Sequence, residues 1–284
     1  MNGRSELTSF LMSRRARLRP EEVGLTDYGA RRRVPGLRRE ELAQLAGVSV
    51  THYVRLEQGQ SRNISTEVLD SVGAALGLTD DEREYLGNLV HPPQNEPGSG
   101  PTEVRTDLVH LVNSITLAPA YVTGRYGNIL TWNPMTATVL YDFARVPPMS
   151  RTWTHPLFLD AEFRAMFSAA DWLEVARYQV AFTRIAWSRH PGDPALAAHL
   201  ASLREHSAEF CALWDEHRVG QWPPHRVRLA HPVLGQLELA IEMMQPGESR
   251  DQTFVAFVVA PDSPTESALR RHATRSAGDW SILG

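Results

Sequence analysis

The stretch Arg38–Gly59, RREELAQLAGVSVTHYVRLEQG, constrains this chain more than any other. It reads as two short helices about a tight turn. Leu42, Ala43 and Ala46 fall on one side of the first helix. Gly47 stands where a helix ends in a left-handed residue. Ser49 is placed to cap the second helix, which runs from Val50 to about Gln58 and stops at Gly59. At about 100° per residue, His52, Tyr53 and Leu56 share one face of it, and Val50, Thr51, Val54, Arg55 and Gln58 the other. Tyr53 and Leu56 are therefore expected to pack on Leu42 and Leu45, leaving the second face for a partner.

That second face offers a branched apolar group, a hydroxyl and an arginine. Such groups touch thymine methyls and donate two hydrogen bonds to guanine. Two helices joined this way form a helix-turn-helix, whose second helix enters the major groove. An ordinary helical hairpin in a core is the plainer alternative. The charge is divided in a way that suits a partner of phosphates. All 29 basic residues are arginine, against 33 acids. Residues 1–62 hold 12 arginines and seven acids, so a basic head precedes an acidic body. Val50, Thr51 and Arg55 are expected to read bases of double-stranded DNA. Arg38, Arg39 and Ser49 are expected to hold phosphates. The arm Arg31, Arg32 and Arg33 can lie along a phosphate backbone, or pair with Glu21 and Glu22.

Around this pair, residues 5–18 make an amphipathic helix, with Leu7, Phe10, Leu11 and Leu18 at helical spacing. Ser65 opens a helix carrying Leu69, Val72 and Leu76, and Thr79–Glu82 is a capping box that opens another. Five helices in about 90 residues make an all-α domain, 1–90. Residues 91–103 are a Pro/Gly-rich linker. In 104–284 the pattern changes to α+β. A strand–turn–strand over 119–134 turns at Gly127–Asn128, and Asn133 caps a helix over Met135–Phe143. A single helical run spans Ala161–Arg189, with further helices through Leu196–Leu203 and Ser207–His217. Strands follow at Arg226–Ala230, Gly235–Met244 and Thr253–Val259, then a helix from Pro264 to about Thr274. Consecutive strands with short turns predict an antiparallel sheet.

No apolar run approaches the roughly 20 residues of a membrane span, and MNGRSELTSF has no signal core. The cytoplasm is expected, without a membrane partner. Cys211 is the one cysteine, so no internal disulfide forms. There is no Gly-rich phosphate loop and no G-x-S-x-G elbow. His206, Cys211 and His217, five and six residues apart, scatter around a helix. Neither catalysis, a metal site nor a cofactor is expected.

The order ELAQLAGVS…V.RLEQG resembles the helix-turn-helix of the phage-repressor-like (XRE) family. The second half, with LTWNPMTATVLYDF, Asp171–Trp172, PGDP, SAEFCALWDEH, AHPVLGQLEL and PDSP, resembles the PAS-like sensor domain of regulators related to MmyB. The resemblance implies a DNA-binding transcriptional regulator with a ligand-binding domain, some relatives of which accommodate fatty acids. It also implies that Arg15 pairs with Glu57. Relatives often carry Arg-Asn at Arg151–Thr152 and a Leu-rich stretch at Thr154-His-Pro, so the ligand can differ here. Tyr121, Trp132, Asn133, Phe158, Trp172, Phe210 and Trp214 are candidate pocket residues, with Phe143, Trp153 and Tyr178 among the aromatics that could also line it, and Arg151, Trp132 and His231 for a polar end. The same aromatics can fill an ordinary core, which would make this domain a dimerisation or docking module. The expected partners are an inverted-repeat operator, a second copy of the chain, and an apolar effector such as a fatty acid or other lipid.

Overall fold

The computed structural model describes residues 3–25, 36–60, 64–93, 103–220, 225–247 and 251–280, with backbone alone for 274–280. The arm Arg31–Arg33 and most of the linker, 94–102, lie outside the described residues.

Five α-helices build the head: α1 Gly3–Arg17, α2 Arg39–Leu45, α3 Val50–Glu57, α4 Thr66–Ala75 and α5 Asp80–Val90. Their ends follow from local chemistry. Ser49 accepts from the backbone N–H of His52, and Ser65 from that of Val68. Thr79 and Glu82 close a reciprocal capping box. Between α2 and α3, Gly47 has φ +65°, which a side chain would strain. Phe10, Leu11, Leu42, Tyr53, Leu56, Val72, Tyr85 and Leu86 fill the core. Phe10 meets Tyr85 edge to face at 5.1 Å. Tyr53 and Leu56 share this core with Leu42, while Leu45 packs at its margin.

The second domain begins with α6 Thr106–Ser114, then β1 Ala120–Thr123 and β2 Ile129–Trp132. Six helices follow: α7 Pro134–Val139, α8 Thr154–Leu159, α9 Ala161–Ala165, α10 Ala169–Arg189, α11 Pro194–His206 and α12 Ala208–Asp215. The chain returns through β3 Arg226–His231, β4 Gly235–Met244 and β5 Thr253–Val258, and closes with α13 Pro264–Trp280. The five strands form one sheet in the order β2-β1-β5-β4-β3, antiparallel at every junction. So β5 joins the early hairpin to the late one. Leu108 and Val112 of α6 pack on one face, with Ala120, Val122 and Phe254. On the other face α10 lies across β3 and β4.

Several elements differ from the sequence pattern. The run 161–189 is two helices, because Ser168 caps α10 by accepting from Asp171 N–H. Asp160 likewise caps α9. A separate helix, α8, occupies 154–159. The helix after Asn133 stops at Val139, and Phe143–Arg145 is a 3-10 turn. The last helix continues to Trp280.

The head rests directly on the second domain, through α1 and α5 against α10. Arg184 of α10 is fully buried and forms an ion pair with Glu6 of α1. Tyr85 donates to the same carboxylate at 2.9 Å. Arg184 also donates to the Trp214 carbonyl and lies over its indole, 4.2 Å from the centroid. Burial and Arg204 lower its pKa to about 9, with Asp215 opposing, so it is charged at neutral pH. Arg14 donates to the His217 carbonyl at 2.7 Å and pairs with Glu82 at 2.8 Å. Asn88 donates to Ser188 at 3.2 Å, and Arg189 grips Glu84 at 2.6 and 2.9 Å.

Candidate functional site

The outward face of α3 is built from its inward one. Tyr53, Leu56 and Glu57 are buried, which turns Val50, Thr51 and Arg55 to solvent. Glu57 is wholly buried and accepts from Arg15 at 2.9 Å, Arg39 at 2.7 Å and the Tyr53 hydroxyl at 2.8 Å. Burial alone would raise this carboxyl. The hydrogen bonds from Arg15, Arg39 and Tyr53 outweigh it and hold the pKa below the usual carboxylate range. Arg15 also donates to the Leu37 carbonyl at 2.7 Å. One carboxylate thus fastens α1 and the start of α2 to the end of α3, and fixes the angle at which α3 is presented. Arg39 is part of this knot while 41% of its side chain stays exposed. Arg38 and Ser49 are exposed beside it. The Ser49 oxygen accepts from His52 N–H, and its O–H can still donate to a phosphate.

In the second domain two small cavities, of about 50 and 60 Å³, lie between α10 and the sheet. They share Tyr121, Trp153, Val175, Gln179, Val227 and Ile241, and so form one crevice. Leu140, Leu157, Phe163 and Phe167 extend it at one end; Tyr178, Phe182 and Met243 extend it at the other. Gly127 in the β1–β2 turn has φ +79°, and a Cβ there would come within 2.8 Å of the Phe182 ring. The hairpin can therefore close on α10 only with glycine at this turn.

Of the residues singled out from sequence, Tyr121, Trp153 and Tyr178 line the crevice. Asn133 is fully buried and ties α7 to β1. Its Oδ1 accepts from the N–H of Thr136 at 2.9 Å and of Ala120 at 3.1 Å. Its Nδ2 donates to the carbonyls of Ile115 and Ala118 at 2.7 and 2.8 Å. Arg151 donates to the Phe143 carbonyl at 3.0 Å and lies 5.3 Å over the Trp132 ring, outside the crevice walls. Phe158 packs edge to face on Trp172 and Phe210 at 5.7 and 5.3 Å, and Phe210 packs on Trp214. These four make a core between α8, α10 and α12. His231 shapes the β3–β4 turn: Nδ1 accepts from Val233 and Leu234 N–H at 3.1 and 3.0 Å, and Nε2 donates to the Thr138 carbonyl. Burial lowers its pKa, with the Thr138 bond opposing, so it is neutral.

The helix α10 joins the two regions. With 100° per residue, Val175, Gln179 and Phe182 lie on the face that closes the crevice. Arg184 and Ser188 project from the opposite face into the head. The sequence reading missed Val175, Gln179, Val227 and Ile241. A glutamine within an apolar helical stripe, opposite alternating strand residues, was the available signal.

A larger open cleft of about 800 Å³ lies between the domains and carries mixed charge, including Arg17, Glu82, Glu174 and Arg177. Arg17 is spent on the Glu216 carbonyl and Arg177 on its carboxylate, so an apolar molecule gains little there. Among the described residues no helix is long and apolar enough to cross a membrane.

Residues 11–86 match the family model described as "Helix-turn-helix domain". Residues 104–271 match that described as "MmyB-like transcription regulator ligand binding domain". No significant match was found among curated proteins. The second match spans more than half of the chain and the first supplies the DNA-binding head. The chain belongs to the MmyB-like family of ligand-responsive, helix-turn-helix transcription regulators.

Proposed function

We propose that the chain binds an inverted-repeat operator as a cytoplasmic homodimer, and that an apolar effector of the fatty-acid or lipid class alters its hold. The units are a DNA-binding domain over 1–90, a linker over 91–103 and a sensor over 104–284. Val50, Thr51 and Arg55 read bases, while Arg38, Arg39, Ser49 and the Arg31–Arg33 arm hold phosphates.

The observation that carries this reading is the two-faced helix α10. Ligand sites for drug-sized molecules occupy about 300–1,000 Å³, far more than the crevice offers as it stands. An effector entering there must part α10 from the sheet, and α10 holds α1 and α5 of the head through Arg184 and Ser188. Ligand entry and head displacement become one movement. The gain cannot exceed the effector's differential affinity for the two arrangements, typically about 1–3 kcal/mol.

The test is operator affinity of the full chain with and without C10–C18 fatty acids and their methyl esters, on a site selected from random DNA. A shift of about fivefold or more is expected. No change in affinity, with no change in melting temperature, would leave the second domain a dimerisation or docking module. Sedimentation of the protein–DNA complex should give two chains per operator.

A further inference from the structure

The crevice walls carry polar groups but no charge. Among the described residues, neither cavity is lined by an acidic or basic side chain. Burial pushes the Tyr178 phenol up to about 12 and the Tyr121 phenol higher still, so both stay neutral. Arg151, two residues before Trp153, is engaged with the Phe143 and Val146 carbonyls and with the Trp132 ring; Arg164, Arg177, Arg226 and Arg228, which adjoin other wall residues, pair with Glu209, Glu216, Glu238 and Asp171. A carboxylate buried here would lose its hydration without gaining a counter-ion, which is far costlier than burying a neutral dipole.

One wall group does want a partner. The indole N–H of Trp153 is buried and makes no hydrogen bond, although Trp153 lines both cavities. It faces the Tyr121 phenol, whose pKa it lowers against the larger opposing effect of burial, but the contact falls outside hydrogen-bond geometry. An unpaired buried donor is a standing cost that an incoming acceptor removes. Gln179, on the α10 side of both cavities, places an amide among the same apolar walls.

We propose that the crevice recognises an uncharged carbonyl on an apolar chain, such as a fatty-acyl ester, amide or lactone, with Trp153 Nε1 as the donor and Gln179 beside it. This rests on the crevice being the effector site. It narrows the effector from lipids in general to those whose polar group is neutral when buried.

The experiment compares methyl dodecanoate, dodecanoate and dodecane binding to the full chain at pH 8, by equilibrium dialysis. The ester should bind at least about tenfold tighter than the carboxylate. Trp153→Phe keeps an aromatic ring and removes the donor together with part of the indole's volume, so the alkane serves as the control for lost packing. The substitution should weaken the ester by about three- to tenfold and leave dodecane within about twofold. If that variant does not fold, Gln179→Leu gives the same contrast between ester and alkane. Carboxylate binding as tight as the ester, displaced by it, would overturn the inference and leave the crevice as the effector site. An ester affinity unmoved by either variant would overturn it too. If none of the three probes binds, the inference and the crevice reading fall together.

Discussion

Arg184 on the longest helix of the sensor is buried against Glu6 on the first helix of the head. Charges removed this completely from water are tolerated only when paired and hydrogen-bonded. Here Tyr85, Trp214 and His217 complete the shell, with the His217 Nδ1 3.2 Å from Arg184 and 3.3 Å from Glu6.

Glu6→Gln leaves the Arg184 cation buried without its counter-charge. The full chain should lose about 3–5 kcal/mol of stability, read as a fall in the urea midpoint. An unchanged midpoint would mean that water reaches the pair.

His199 is 5% exposed, with Nε2 at 2.9 Å from the Thr152 hydroxyl and 2.7 Å from that of Thr154. Burial, helped by His155, lowers its pKa from 6.5 to about 4. The unfolded chain then binds the extra proton first, so stability falls as pH drops from 6.5 toward 4 and levels off below. At about 1.4 kcal/mol per pH unit the span is roughly 3 kcal/mol. His199→Gln should flatten this part of the profile, measured by urea unfolding at pH 7.5 and 5.

Arg55→Ala should weaken cognate DNA by about 1–3 kcal/mol without moving the melting temperature. Glu57→Gln should do the reverse first: it unties Arg15, Arg39 and Tyr53 and lowers the stability of the head by several kcal/mol. Fluorescence anisotropy beside a thermal melt separates the two. Equal operator affinity of Arg55→Ala and wild type would remove Arg55 from the reading face.

Asn133→Ala takes both a helix cap and the tie to Ile115, Ala118 and Ala120. A loss of at least about 2 kcal/mol in the second domain is expected, with ester affinity of the folded fraction unchanged. Retained stability with lost ligand binding would instead move Asn133 into the site.

How far the sequence could be read depended on range. Caps, the left-handed Gly47 and the Arg15–Glu57 pairing came through because they are local or belong to a recurrent pattern. The sheet order was partly legible, since β1–β2 and β3–β4 are hairpins. The break at Ser168 was lost because apolar spacing continues across it. The crevice was hardest. Phe158, Trp172, Phe210 and Trp214 have the size and chemistry of pocket residues, but they pack on one another. The walls come instead from a few residues each on β1, β3, β4, β5, α8, α9 and α10, brought together only by the fold.

The span of α10 from Gln179 to Ser188 is about 13 Å, at 1.5 Å per residue. A tilt of about 5° at the crevice end carries the Ser188 end by roughly 1 Å, enough to break the 3.2 Å hydrogen bond from Asn88. In the proposed coupling the helix acts as a lever, braced along its length by its packing on α8 and α12. Leverage of this kind needs a stiff beam, so a helix-weakening glycine at the half-buried Phe182, inside α10, would loosen the coupling of the two domains at a cost of about 1 kcal/mol in helix propensity plus the lost ring packing.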